Sequence, residues 1–229
     1  MVLAHAGPQK APNFGAFFIF IDMQNIQTLI FDLGGVIINL KTENNWFEED
    51  LIPNFQPEKL HHLQQNNFFQ DIETGKIRVE DFIQQLKEIA IDKAISDEQI
   101  IRYWNGILLD IPKHRVDLLK QLSKKYKLIL LSNTNSIHLD FILNYIQEKF
   151  GENILAAIFH KCYYSQEISL RKPNKEIYEF VLQNETLQAA NCIFFDDKKE
   201  NLIEPEKLCI HTFLVDFNKL TASTLQHLL

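Results

Sequence analysis

The stretch Thr28-Leu29-Ile30-Phe31-Asp32-Leu33-Gly34-Gly35 constrains what this chain can fold into more than any other. An apolar, partly β-branched run ends abruptly in a carboxylate, and two glycines follow. Such a run reads as a buried strand that delivers Asp32 to its C-terminal edge. The glycines let the backbone turn tightly and leave room for something to approach. Asp32 taken alone is equally readable as a turn cap, because aspartate is common after strands. The rest of the chain decides between the two.

Behind this strand, Val36-Ile37-Ile38-Asn39-Leu40 is too apolar for a solvated loop. From about residue 44 to 111 the pattern turns helical. Val79, Phe82, Ile83, Leu86 and Ile89 recur at helix spacing, and Ser96-Asp97-Glu98-Gln99 is a capping-box start leading into Ile100, Ile101, Trp104 and Ile107. An alternation of helices and strands then resumes. The pattern predicts a helix over 116–125, a strand over 127–131 ending at Ser132-Asn133, and a helix over 137–150 stopped at Gly151. It further predicts a short strand over 156–159, a helix with Pro173 in its first turn, a strand over 192–195 ending in Asp196-Asp197, and a closing strand over 212–215. This rhythm implies an α/β fold with a mostly parallel sheet covered on both faces. The domain reading is an α/β core from residues 23–43 and 112–229, interrupted by a helical unit at 44–111. Residues 1–22 admit two readings: an extension upstream of a natural start at Met23, or an extra edge strand from Phe17 to Ile21.

Composition narrows the function classes. A net charge of −7 with a pI near 5.6 argues against a nucleic-acid partner. Cys162, Cys192 and Cys209 are odd in number and far apart, which fits neither a disulfide framework nor a zinc site, so a reducing, cytoplasmic setting is expected. No apolar run reaches membrane-spanning length, so no membrane partner is expected. The oligomeric expectation is a monomer or homodimer.

Each polar cluster follows a strand or is read as opening a helix: Asp32, Ser132-Asn133, Arg171-Lys172 and Asp196-Asp197. A parallel sheet puts all its strand C-termini on one side, so these groups can converge. Two aspartates at a buried strand end facing a third would raise one another's pKa, and a divalent cation relieves that. An all-oxygen donor set beside open positions suits Mg²⁺. Ser132 and the amides after it are read as opening a helix, an anion-binding position. Lys172 is read as opening another, where its charge needs an anionic neighbour. Together these groups suit phosphoryl transfer, in which positioning and charge neutralisation do most of the work. Glu73-Thr74-Gly75-Lys76 is read as an interhelix turn able to reach the site. Trp104, beside Asn105, is read as core with pocket lining as the alternative. His138, two helical positions past the Ser132 loop, is read as a packed or solvated helix histidine, with facing the site as the alternative.

Phe31-Asp32-Leu33-Gly34-Gly35-Val36, Leu131-Ser132-Asn133-Thr134-Asn135, Arg171-Lys172-Pro173 and Phe195-Asp196-Asp197-Lys198-Lys199-Glu200-Asn201 resemble, in order, the four motifs of the haloacid dehalogenase (HAD) superfamily. The resemblance covers about Gln27 to Val215, and the bacterial α-glucose-1-phosphate phosphatase-like proteins look like the nearest subgroup. It implies a Rossmann-like core with a helical cap inserted after the first motif strand. It implies a phosphatase acting on a small phosphorylated metabolite, such as a sugar 1-phosphate, with Asp32 as nucleophile. By the same resemblance Asp32, the Gly34 carbonyl and Asp197 hold Mg²⁺, Ser132, Asn133 and Lys172 hold the phosphoryl group, and Asp196 supports metal and lysine from behind. Glu73 and Trp104 are the substrate-contact candidates from the cap. The usual second aspartate, two residues after the nucleophile, is Gly34 here, so the family's proton donor is missing. Two other readings compete: a metal-independent 2-haloacid dehalogenase, against which Asp196-Asp197 speaks, and a non-catalytic phospho-ligand-binding protein.

Overall fold

The computed structural model describes residues 23–226 and 228–229, so both readings of residues 1–22 fall outside the described residues. Strand β1 (Thr28–Phe31) is wholly buried and leads into the apolar turn 33–38. Helices α1 (Glu43–Trp46, running on as a π-helical turn over Phe47–Leu51), α2 (Pro57–Gln65), α3 (Phe68–Glu73), α4 (Val79–Ile89) and α5 (Asp97–Trp104) follow, with a 3₁₀ turn at Asn105–Ile107. The remainder is α6 (Lys113–Leu122), β2 (Lys127–Ser132), α7 (Ser136–Phe150), α8 (Ile154–Ile158), β3 (Lys161–Tyr164), α9 (Ser165–Ile168), α10 (Lys175–Asn184), β4 (Cys192–Asp196), α11 (Glu200–Lys207) and β5 (His211–Leu214).

Among the described residues the strands form one parallel sheet in the order β3-β2-β1-β4-β5. Strand alternation sorts its side chains into two layers. Phe31, Leu130 and Phe195 face α6 and α7, meeting Val116, Leu119, Ile142 and Ile146, whereas Ile30, Ile129 and Phe194 face Ile177 and Tyr178 of α10. Phe31 and Phe195 stack with ring centroids 4.6 Å apart, fixing β1 against β4. Both faces being covered explains why the strands are apolar runs rather than alternating ones. The chain grows outward from β1 through β2 to β3, then crosses back to β4 and β5 on the other side. That reversal of direction beside β1 is the topological switch point where ligands bind in open α/β sheets, and β1 ends at Asp32.

Helices α1 to α5 enclose an apolar cluster of their own, including Trp46, Phe55, Phe82, Leu86 and Trp104. Ile137, at the start of α7, joins this cluster and ties it to the sheet layer. The capping box of α5 forms in full: Ser96 Oγ accepts from Gln99 N at 3.3 Å, and Gln99 Oε1 accepts from Ser96 N at 2.9 Å. A cap of this kind is worth about 1 kcal/mol. Among the described residues no helix is long and apolar enough to cross a membrane.

Three local expectations are corrected. Residues 154–158 are helical, and the strand lies later, at Lys161–Tyr164. Asn153 caps the helix by accepting from Ala156 N at 3.1 Å, and a short apolar run does not by its period distinguish strand from helix. Helix α10 starts at Lys175 with Asn174 as its N-cap, so Pro173 and Lys172 lie in the turn before it rather than in its first turn. Ser132 ends β2, and the N-cap of α7 is Asn135, whose Oδ1 accepts from His138 N at 3.0 Å.

Candidate active site

Lys172 organises the site. It is 1% exposed, and its Nζ lies 2.8 Å from Asp32 Oδ1 and 2.7 Å from Asp196 Oδ2. Burial alone would push the lysine's pKa down, but the two carboxylates outweigh it and the pKa rises, so the ammonium keeps its charge. The anionic compensation expected for Lys172 is thus direct contact rather than a helix-end effect. The loop that carries it is pinned by Asn133, whose Nδ2 donates to Lys172 O at 2.8 Å while its Oδ1 accepts from Lys172 N at 2.9 Å. The Asn133 side chain is therefore occupied in holding the lysine's own peptide groups.

Carboxylate oxygens of Asp32, Asp196 and Asp197 lie within 4.8 Å of one another. Their surroundings differ. Asp196 is fully buried and saturated: Lys172 Nζ and Asn201 Nδ2 reach Oδ2, and Lys198 N and the same Asn201 amide reach Oδ1. Asn201 is itself fixed by Tyr178 Oη, which donates to its carbonyl at 2.7 Å. Asp32 Oδ1 accepts from both Lys172 and Leu33 N (2.7 Å), and among the described residues no hydrogen bond reaches Oδ2. Burial, opposed by Lys172 and reinforced by Asp196 and Asp197, raises Asp32 to about 7. Burial and Asp196 raise Asp197 to about 6. Crowded, part-protonated carboxylates with an uncommitted oxygen fit a hard divalent cation, which would sit between Asp32 and Asp197 with Asp196 behind them.

The two glycines after Asp32 have different duties. Gly35 has φ +70°, and a Cβ there would meet Asp197 Oδ2 at 2.6 Å, so the absence of a side chain is what lets Asp197 approach. A Cβ at Gly34 would meet only the tip of Leu40, Cδ1 at 2.9 Å.

Asp32, Gly34, Ser132, Asn133, Lys172, Asp197 and Glu73 line one cleft of about 610 Å³, a volume suited to a small molecule. Glu73 ends α3 and pairs with Arg171 at 3.1 Å, across the boundary between the helical unit and the sheet layer. Burial pushes its carboxyl up despite Arg171. Gly75, at φ +68°, lets the turn approach Gln166, whose carbonyl oxygen would lie 2.6 Å from a Cβ. Trp104 does not line the cleft; its ring lies among Trp46, Phe69 and Phe82 and stacks on His138. Two contributors have no role assigned from sequence. Asn201 holds Asp196. Lys198 lines the cleft and pairs with Glu43 of α1 at 2.5 Å. His138, partly buried, lines the cleft as well, so of its two readings the site-facing one holds. The only sequence signal for Asn201 and Lys198 was their place just after Asp196-Asp197.

The fold and site define a class: an α/β enzyme core whose switch point presents an aspartate, a buried lysine and an acidic pair. The sequence model of the haloacid dehalogenase-like hydrolase family matches residues 26–203, and the chain belongs to that family. A D-ribitol-5-phosphate phosphatase of Bacteroides thetaiotaomicron is 26% identical over 191 residues, covering 82% of this chain and 91% of that protein. A HAD family enzyme of the same bacterium, crystallised with magnesium and inorganic phosphate, aligns with TM-score 0.75 and 31% identity over 85% of this chain and 96% of its own. A predicted HAD-like family hydrolase of Porphyromonas gingivalis aligns with TM-score 0.76 and 27% identity over 89% and 97%.

Proposed function

We propose that this protein is a Mg²⁺-dependent phosphatase that hydrolyses the phosphate ester of a small sugar or polyol through an aspartyl-phosphate. The observation that carries the reading is the buried Lys172 bridge from Asp32 to Asp196, beside Asp197. The lysine holds one oxygen of Asp32 and leaves the other uncommitted. A carboxylate oxygen of Asp32 attacks phosphorus as the P–O bond to the leaving alkoxide breaks, and the alkoxide takes a proton from water. Water then attacks the acyl phosphate, releasing inorganic phosphate and returning Asp32 as a carboxylate. Lys172 and the Ser132 hydroxyl hold the phosphoryl oxygens, and Asn133 keeps the lysine in register. Asp32, Asp197 and the Gly34 carbonyl would hold Mg²⁺, which would supply charge neutralisation at the phosphoryl group. Residues 44–111 act as the cap, with Glu73 and Arg171 in the cleft wall. The saturated Asp196 and open Asp197 favour this reading over a metal-independent dehalogenase. The relative's substrate supports a polyol or sugar phosphate. The test is turnover of a phosphometabolite panel with Mg²⁺ and with EDTA; activity indifferent to EDTA, or none on any ester, would refute it.

Proton linkage gives a second check. Asp32 and Asp197 are raised to about 7 and about 6, so below those values protons compete with the cation. Mg²⁺ affinity is expected to rise from pH 5.5 to 8, and titration calorimetry at pH 6.5 in buffers of different ionisation enthalpy should register proton release. A pH-independent affinity would contradict the assignment of these two ligands.

With glycine at position 34, the leaving group lacks its usual proton donor. Rates should then depend steeply on leaving-group basicity, with aryl and sugar 1-phosphates turned over faster than sugar 6-phosphates. The Cβ of Gly34→Asp has only the tip of Leu40 to displace, and the variant should restore up to about 10²-fold for the poorer leaving groups. The comparison is kcat/KM over an ester series for both proteins. A flat series in the parent would mean that another group, Glu73 first among them, already donates the proton.

A further inference from the structure

His138 takes no part in the chemistry described above, yet it lines the same cleft, in the first turn of α7 just past the Ser132-Asn133 loop. Its ring lies parallel to Trp104, centroids 5.4 Å apart at 2°, and its Nδ1 is 2.7 Å from Asn105 Oδ1. Asn105 is 5% exposed and belongs to the helical unit, so the ring is fixed from the side opposite its own helix. Among the described residues no hydrogen bond reaches Nε2. The neighbouring cleft wall, Ile107, Leu108 and Ile142, is apolar. From this geometry we infer that His138 is a specificity-determining contact, its Nε2 hydrogen-bonding a hydroxyl on the carbon skeleton of the substrate.

The chemistry selects a hydroxyl. Burial pushes His138 down to about 3, so the ring is neutral, with one N–H and one lone pair. Asn105 Oδ1 can only accept, so Nδ1 carries the N–H and Nε2 presents the lone pair. A substrate hydroxyl supplies the O–H that this lone pair accepts. An anionic group would call for the imidazolium that burial opposes, and an apolar group would leave Nε2 unpaired against an apolar wall. The phosphate is already served by Lys172 and Ser132, so this contact reads the other end of the molecule.

The inference rests on the phosphatase reading, and the test separates the two. Turnover of p-nitrophenyl phosphate by the parent protein checks the phosphatase reading by itself. The inference is read from the ratio of kcat/KM for ribitol 5-phosphate to that for n-pentyl phosphate. These esters share a primary alkoxide leaving group and differ in their hydroxyls. The parent should prefer ribitol 5-phosphate. His138→Phe, which keeps a ring against Trp104, should lower the ratio about 10-fold. His138→Gln, with an amide near the place of Nε2, should recover most of it, and melting temperatures verify that both variants fold. An unchanged ratio in folded His138→Phe, a loss that Gln does not recover, or a parent without preference between the two esters would overturn the inference. If His138→Phe does not fold, His138→Leu takes its place: a ratio lowered about 10-fold and recovered by Gln supports the contact, and an unchanged ratio refutes it.

Discussion

Asp32→Asn is expected to lower phosphate-ester turnover by about 10⁴-fold or more, because an amide oxygen cannot replace the carboxylate as nucleophile. The substitution is nearly isosteric, and it keeps an oxygen that can accept from Lys172 and Leu33 N. The fold should therefore survive, and the sign of the stability change can be derived. The folded pKa of Asp32, about 7, lies above its ordinary value of 3.8. Such a group favours the folded state only while protonated, and that contribution is lost as pH rises through 7. At pH 8 without metal the variant should melt no lower than the parent, whereas the stabilisation that Mg²⁺ gives the parent should largely disappear. Single-turnover assays with thermal melts in EDTA and in Mg²⁺ measure both effects. Substantial residual turnover would place the nucleophile elsewhere.

Lys172→Met should be the most damaging single change to stability in the site. It leaves Asp196 and Asp32 facing each other in a buried pocket without their shared cation. Removing one partner of a buried ion pair typically costs about 3–5 kcal/mol. The loss should depend on pH. At pH 8 Asp32 is charged and the full destabilisation appears, whereas near pH 5 it is protonated and the loss should shrink. Urea denaturation of both proteins at the two pH values, without metal, makes the comparison. An equal loss at both would mean that the lysine acts through packing rather than charge. The variant should also lose turnover, since the cation that orients Asp32 is gone.

The α/β class and the parallel sheet were legible because buried strands advertise themselves as apolar runs that stop at a polar residue. Thr28–Phe31 stops at Asp32, and Cys192–Phe195 stops at Asp196. The same signal misled at 154–158, where Ile-Leu-Ala-Ala-Ile has no period long enough to choose between helix and strand and a side chain upstream, Asn153, decides. The start of α10 reads too early from sequence because proline in a helical first turn and proline just ahead of a helix look alike. The division of labour among the three aspartates was illegible from spacing alone. What separates Asp196 from Asp32 is Asn201, and what fixes Lys172 is an amide 39 residues away, at Asn133. Arg171 and Glu73 are 98 residues apart, and Asn105 and His138 are 33 apart. Pairs like these are created by the fold, and no local pattern announces them.

The indole of Trp104 lies flat against His138 and 5.0 Å from Trp46, and these are the chain's two tryptophans. Near-ultraviolet emission from the protein therefore originates at one seam, where the helical unit meets α7. A solution probe of that seam is built into the chain and needs no label. Mixing the protein with an ester and following tryptophan fluorescence in a stopped-flow instrument would time any reseating of the two parts against the appearance of phosphate.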